Sequence, residues 1–102
     1  MGILIFDVIF KHEEKWAPKN VFEQDIQWLD KGDIVIAEVS NPSLGVGYEI
    51  CYALTIGKKV LCAYQKGLFI SKMITGNTSK NISLFEYSEV GELLEKVERF
   101  LR

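Results

Sequence analysis

Residues 33–49, "DIVIAEVSNPSLGVGYE", decide how this chain folds. The first seven residues form an almost unbroken apolar run, which is typical of a strand buried on both faces of a parallel sheet. The loop that follows contains Pro42, Gly45 and Gly47, and a helical pattern begins at its end. A buried strand, a glycine-rich loop and a helix in this order predict one β-α unit of an α/β protein.

The same alternation of apolar runs and helical patterns extends through the rest of the chain. The pattern predicts strands at residues 3–10, 33–39, 59–64 and 82–87, and helices at residues 20–31, 45–56, 68–75 and after Ser88. Asn20 and Glu23 have the spacing of a capping box, and Gly32 and Gly57 have the positions of helix ends. We therefore predict an α/β fold with a Rossmann-like or flavodoxin-like open parallel sheet, four recognisable strands and helices on both faces.

The composition of the 102 residues is that of a soluble globular protein, with 48% hydrophobic and 25% charged residues. A net charge of −2 gives no electrostatic reason to expect a nucleic-acid polymer or a membrane as partner, so we expect a small molecule. No apolar run approaches the roughly 20 residues that span a bilayer. Cys51 and Cys62 lack the spacing of a metal site, and the chain has one histidine. We therefore predict two buried free thiols, a cytoplasmic location, no metal and no cofactor.

Two carboxylates are predicted to lean towards the interior. Successive helical residues are rotated by about 100°. Asp25 then falls near the middle of the apolar arc of its helix, where burying a lone carboxylate costs several kcal/mol. The alternatives are that Asp25 lies on an exposed part of that face or bonds a nearby backbone group. Glu49 falls at the edge of the inward stripe of the next helix. Its alternative is an ordinary first-turn acid that the helix dipole favours.

The loop between these carboxylates favours a binding site. Gly45 and Gly47 allow close backbone approach, and the exposed N–H groups of a helix start bind anions. Ser43 adds a hydroxyl donor, although a lone G-x-G is also compatible with a simple tight turn. A phosphate-bearing ligand between two carboxylates indicates glycosidic cleavage, where a separation of roughly 5 Å favours a covalent, retaining route. Glu49 is then the nucleophile, and Asp25 orients it or handles the proton.

The string "FEQDIQWLDKGDIVIAEVSNPSLGVGYE", with "GKKVLCAY" and "SKMITGN" after it, resembles the 2′-deoxynucleoside 5′-phosphate N-hydrolases of the nucleoside 2-deoxyribosyltransferase-like superfamily. The resemblance covers roughly residues 21–77. It implies hydrolysis of the N-glycosidic bond of a deoxynucleoside monophosphate to free base and 2-deoxyribose 5-phosphate. Glu49 matches the family's nucleophile, which forms a covalent deoxyribosyl intermediate, and Asp25 matches the carboxylate that assists it.

The resemblance also implies how the phosphate is bound. Ser43 matches a phosphate-contacting serine, where the related transferases of unphosphorylated nucleosides carry an acidic residue. Ser71 matches a serine that reaches the phosphate from the partner subunit of a homodimer, and Met73 belongs to the same predicted binding segment. His12 is either the match of a family histidine or an incidental surface residue.

The chain departs from the family pattern at its N-terminal end. Residues 1–19 contain no match to the family's first strand and its Gly-Ser-Ile-Arg-Gly-Gly loop. We therefore expect one N-terminally truncated domain over residues 1–102. Two alternative functions stay open: a non-catalytic nucleotide-binding or dimerisation remnant, and a nucleoside 2-deoxyribosyltransferase, against which Ser43 argues.

Overall fold

A computed structural model of the chain describes residues 3–5 and 17–101. Its elements are, in chain order, β1 (Ile3–Ile5), α1 (Pro18–Lys31), β2 (Ile34–Glu38), α2 (Leu44–Thr55), β3 (Lys59–Gln65), α3 (Lys72–Thr75), β4 (Ile82–Tyr87) and α4 (Val90–Phe100). All neighbouring strands are parallel, and their order in the sheet is β1-β2-β3-β4. The predicted α/β fold with an open parallel sheet is therefore confirmed. Residues 6–10 of the first predicted strand lie outside the described residues, and so does His12.

The helices lie on both faces of the sheet, as predicted. When neighbouring parallel strands follow each other in the chain, right-handed crossovers place all their connections on one face. This face carries α1 and α2, whose Leu29, Val46 and Ile50 form a buried core with side chains of β2 and β3. On the opposite face, α4 packs Val97 and Phe100 against a smaller core from the same strands.

α1 and α2, the helices on either side of β2 in the chain, begin earlier than predicted. α1 begins at Pro18, and Ala17 is its N-cap without a side-chain hydrogen bond. The capping box predicted at Asn20 is therefore wrong, because proline's fixed φ suits the first helical position and starts the helix earlier. α2 begins with Ser43 as its N-cap, and the Ser43 Oγ accepts a hydrogen bond from the Val46 N–H at 3.2 Å.

The two later helices also differ from the prediction. α3 is a single turn that begins after Ser71, so residues 68–71 are not helical. α4 has Glu89 rather than Ser88 as its N-cap, and the Glu92 side chain accepts a hydrogen bond from the Glu89 N–H at 3.2 Å. Gly57 has a φ of +81° directly after the end of α2, as expected for a helix-ending glycine.

Within the described ranges, no helix combines the length and the hydrophobicity needed to cross a bilayer.

Candidate active site

Asp25 in α1 and Glu49 in α2 are both buried, each with 6% of its surface exposed. No described residue is a hydrogen-bond partner of the Asp25 Oδ1 atom. Asp25 is therefore neither exposed nor bonded to a described backbone group, which were the two alternatives that the sequence left open. Because burying such a carboxylate costs several kcal/mol, its retention in the core needs a reason beyond packing.

Two contacts between α1 and α2 lie on either side of these carboxylates along the two helices. At one end the rings of Phe22 and Tyr48 meet edge to face, with their centroids 6.3 Å apart. At the other end the Tyr52 hydroxyl donates a hydrogen bond of 2.6 Å to Asp30. The two carboxylates lie between these contacts in both helices. We call this contact between α1 and α2 the carboxylate seam.

Gly45 connects the carboxylate seam with the loop after β2. A Cβ atom at Gly45 would lie 3.8 Å from the Glu49 Oε1 and 3.9 Å from the Ser43 Oγ. These two oxygens are therefore at most about 8 Å apart, so one sugar phosphate could contact both. The other carboxylate oxygen, Oε2 of Glu49, is shielded from solvent. Oε1 is thus the oxygen that faces the loop.

The start of α2 has three hydrogen-bond donors without a described acceptor. The N–H groups of Leu44 and Gly45 bond no described acceptor, and no described residue accepts the Ser43 O–H. The first N–H groups of a helix lack intrahelical partners, and the helix dipole adds a positive potential there. This arrangement can bind a phosphate dianion without a metal or a cationic side chain.

A groove of about 1160 Å³ lies along the other flank of α2. Its lining includes Ser43, Gly47, Ser71 and Met73, but neither carboxylate of the seam. Gly47 and Glu49 are about 160° apart around the helix, which explains why they face different spaces. We call this space the apolar groove, since most of its lining is apolar. Three of its side chains are strongly exposed: Leu44 (97%), Met73 (83%) and Phe69 (79%).

Two of the predicted binding residues, Ser71 and Met73, line the apolar groove rather than the space at Glu49. The Ser71 Oγ accepts a hydrogen bond from the Met73 N–H at 3.2 Å and caps α3. Both residues border the apolar groove, which they share with Ser43. Ser43 and Tyr48 thus both border the groove, and both also lie on the side of α2 that carries Glu49.

A polar network at the carboxyl ends of the strands was missed by the sequence reasoning. The Glu38 carboxylate accepts hydrogen bonds from the Ser40 N–H at 2.6 Å, from the Ser40 hydroxyl at 3.0 Å and from the Tyr87 hydroxyl. The Ser40 Oγ also accepts the Gln65 N–H at 2.9 Å. Burial, followed by the hydrogen bond to Glu38, raises the pKa of Tyr87. The network fixes the chain three residues before Ser43.

The two cysteines differ in their surroundings. Both are free thiols, and Cys62 is buried in β3 as predicted. The predicted burial of Cys51 is wrong, because this residue of α2 is exposed. Burial raises the pKa of the Cys62 thiol from 9.0 to about 12, so this thiol is held in its neutral form. Among the described residues, no group of three His, Cys, Asp or Glu side chains is placed to hold a metal ion.

Comparison with protein families and known proteins identifies the relatives of this chain. The family model described as nucleoside 2-deoxyribosyltransferase matches residues 7–84. The chain is 43% identical over 99 residues to the Thermofilum pendens protein "Putative 2′-deoxynucleoside 5′-phosphate N-hydrolase 1", covering 95% of this chain and 69% of that protein. It is 37% identical over 91 residues to the 5-hydroxymethyl-dUMP N-hydrolase of Danio rerio, covering 84% and 64% of the two chains.

The chain is shorter than these relatives. It spans about two thirds of the length of the first two and about half of the length of the mammalian relatives. A solved structure, the CMP N-glycosidase BcmB of Clostridium botulinum, has the same fold with a TM-score of 0.78 at 22% identity. The superposition covers 96% of this chain and 99% of that one.

Proposed function

The chain belongs to the nucleoside 2-deoxyribosyltransferase family, and from this premise we propose that it hydrolyses the N-glycosidic bond of 2′-deoxynucleoside 5′-monophosphates. The products are the free base and 2-deoxyribose 5-phosphate. One observation carries the proposal: a buried carboxylate, Glu49, borders the same small space at Gly45 as the Ser43 hydroxyl at the start of α2. The names of the relatives, which are N-hydrolases of deoxynucleotides, agree with this chemistry.

Glu49 acts as the nucleophile in the proposed reaction. Its Oε1 attacks the anomeric carbon as the bond to the base breaks, and the base takes up a proton as it leaves. The resulting ester between Glu49 and deoxyribose phosphate is then hydrolysed by water, which restores the carboxylate and releases the sugar phosphate. Asp25 lies in the same seam, where it orients the sugar or transfers the proton.

The start of α2 binds the phosphate in this proposal. The Ser43 hydroxyl lies beside the space that Gly45 leaves open, and the N–H groups of Leu44 and Gly45 at the same helix start have no described acceptor. A hydroxyl donates to a phosphate dianion, whereas a carboxylate in its place would repel it. This difference gives Ser43 the role of selecting phosphorylated substrates.

The direct test is to incubate the intact chain with each of the four deoxynucleoside monophosphates and to measure free base and 2-deoxyribose 5-phosphate. We expect release of base by the wild type and at least about a 1000-fold loss in Glu49→Gln. Intact-mass spectrometry after an acid quench should detect the sugar phosphate ester on the wild type alone. Full turnover by Glu49→Gln would exclude Glu49 as the nucleophile.

The same assay separates the alternative functions. Binding of a deoxynucleoside monophosphate without any release of base would favour the non-catalytic remnant. Faster transfer of deoxyribose to an added base than to water would favour a transferase. In Ser43→Asp, we expect kcat/KM to fall by about 50-fold or more for the monophosphate and by less than about threefold for the free deoxynucleoside. An equal loss for both substrates would remove the phosphate role of Ser43.

We also propose that two copies of the chain associate through the apolar groove. Leu44, Phe69 and Met73 expose large apolar side chains there, and such a continuous patch is typical of a protein interface. A second copy seated in the groove would bring its Ser71 towards the phosphate site at Ser43. Sedimentation should show a dimer for the wild type and a monomer for Phe69→Asp. A wild-type monomer at 100 μM would exclude this arrangement.

We place the protein in the cytoplasm. The exposed free thiol of Cys51 and the buried thiol of Cys62 fit a reducing compartment. Fractionation of cells that produce the protein from its native gene tests this location, and recovery in a membrane or secreted fraction would contradict it.

A further inference from the structure

A polar pocket lies at the opposite edge of the sheet from the loop after β2. It has a volume of about 390 Å³ and opens beside the amino ends of β3 and β4, next to the last turns of α4. The seven residues of β3 separate the two edges by about 20 Å. We call it the basic pocket. Its lining consists of Lys59, Lys80, Asn81, Ser83, Lys96, Arg99 and Phe100.

The charge of the basic pocket is unusual for this chain. Its lining contains four of the chain's 12 Lys and Arg residues and none of its 14 Asp and Glu residues. None of the four cations forms a salt bridge with a described residue. The Lys96 ammonium lies 5.6 Å from the centre of the Phe85 ring, a cation–π contact that stabilises the charge but does not neutralise it. Like charges that line one small pocket repel each other, because a pocket of this volume is about as wide as one Debye length.

Helix electrostatics explains only half of this cluster. Lys96 and Arg99 lie near the C-terminal end of α4, where the helix dipole favours cations. Lys59 is the first residue of β3, and Lys80 lies two residues before β4, so neither gains from that dipole. The alternation of side chains along a strand places Lys59 and Ser83 on the face that α4 covers, together with Leu61 and Phe85. The fold therefore collects cations from three separate segments.

We propose that the basic pocket binds a small polyanion that carries at least two phosphate groups, such as a nucleoside diphosphate or triphosphate. One phosphate dianion would balance two of the four cations, so a second phosphate is needed to balance the pocket. Asn81 and Ser83 add uncharged hydrogen-bond groups, and the volume is in the lower range of small-molecule sites. A nucleic-acid polymer fits less well, because the chain as a whole has a net charge of −2.

The pocket is tested with inorganic tripolyphosphate and ADP as probes, by isothermal titration calorimetry on the intact chain. We expect Lys59→Gln and Lys80→Gln each to weaken binding by about 5- to 10-fold and Lys59→Arg to retain it. Lys31→Gln, a matched change of an exposed lysine at the end of α1, should have no effect. Without ligand, Lys59→Gln should melt at the wild-type temperature or above, because it relieves repulsion.

Several results would overturn the proposal. They are no binding of tripolyphosphate at 1 mM, equal losses in Lys31→Gln and Lys59→Gln, or tighter binding of a single-stranded oligonucleotide than of tripolyphosphate. A loss of tripolyphosphate binding in Ser43→Asp, with Lys59→Gln unaffected, would move the ligand to the start of α2. These measurements do not use the hydrolase reaction, so the basic pocket and the proposed activity can fail independently.

Discussion

Replacing Gly45 by alanine tests whether the space between Ser43 and Glu49 holds the substrate. The new methyl group would lie 3.8 Å from the Glu49 Oε1 and 3.9 Å from the Ser43 Oγ, which are ordinary contact distances. Gly45 does not have a positive φ, so alanine is not strained there. The free protein should therefore accept the change. Alanine is also the better helix former, by about 0.5–1 kcal/mol in a helix interior.

The substrate should not accept it. A carbon under attack comes within about 3.2 Å of the oxygen, and two carbons need about 3.5 Å between them. The methyl group therefore excludes the sugar from all directions within about 60° of the line from Oε1 to the Cβ. Displacement of the sugar by about 1 Å costs about 100-fold in rate, or about 2.7 kcal/mol. The N–H of residue 45 remains available, so inorganic phosphate should bind within about threefold of the wild-type affinity.

Gly91→Ala is the matched control. Gly91 is the second residue of α4, as Gly45 is the second residue of α2, and a Cβ there has nothing within 4 Å. Both variants should melt at or a few degrees above the wild-type temperature, and only Gly45→Ala should lose kcat/KM for deoxynucleoside monophosphates. Wild-type kcat/KM in a folded Gly45→Ala would refute the placement of the sugar beside Oε1. A large fall in melting temperature would refute the fit of the methyl group.

Three further predictions concern the seam, the network and the buried thiol. Asp25→Asn removes a buried charge, so calorimetry should show an equal or higher melting temperature, and activity should fall at least tenfold. A lower melting temperature would contradict the absence of a described hydrogen-bond partner for the Asp25 Oδ1. Tyr87→Phe frees one bond of Glu38 and should raise KM for the monophosphate more than it lowers kcat; an unchanged KM would count against a positioning role. The pKa of the Cys62 thiol is 9.0 in the unfolded chain and about 12 in the folded protein. The unfolded state therefore loses its proton first, and the free energy of unfolding falls by about 1.4 kcal/mol per pH unit between these values. Chemical denaturation of wild type and Cys62→Ala at pH 8 and 10.5 checks this, and parallel curves would contradict it.

The strands were predictable because they are continuous apolar runs, and the helix starts were not. The composition of a run such as "KVLCAY" predicts a buried strand directly. By contrast, Pro18 and Asn20 are both plausible starts for α1, and Ser88 and Glu89 are both plausible starts for α4. In each case, the residue that begins the helix depends on where the chain leaves the preceding strand. The pairing of Glu38 with Tyr87 was also out of reach, because the two residues are 49 positions apart. The charge of Glu38 inside "IVIAEV" was its only local signal.

The apolar groove shows a different limit of sequence patterns. Leu44 and Phe69 have the residue types of a core, yet they are 97% and 79% exposed. Hydrophobic periodicity predicts that a side chain is covered, but it does not distinguish cover by the same chain from cover by another molecule. The three-dimensional positions of α2 and of residues 68–75 are needed to tell whether the same chain or another molecule covers these side chains.

The position of Ser43 links the two proposed uses of α2. One flank of the helix carries Glu49 and the other borders the apolar groove, and Ser43 belongs to both. If a second copy in the groove supplies its Ser71 to the phosphate, then phosphate binding and dimerisation stabilise each other by the same free energy. Dilution of the dimer should therefore weaken binding of phosphorylated substrates before it affects attack by Glu49, because the nucleophile and Asp25 both come from one chain.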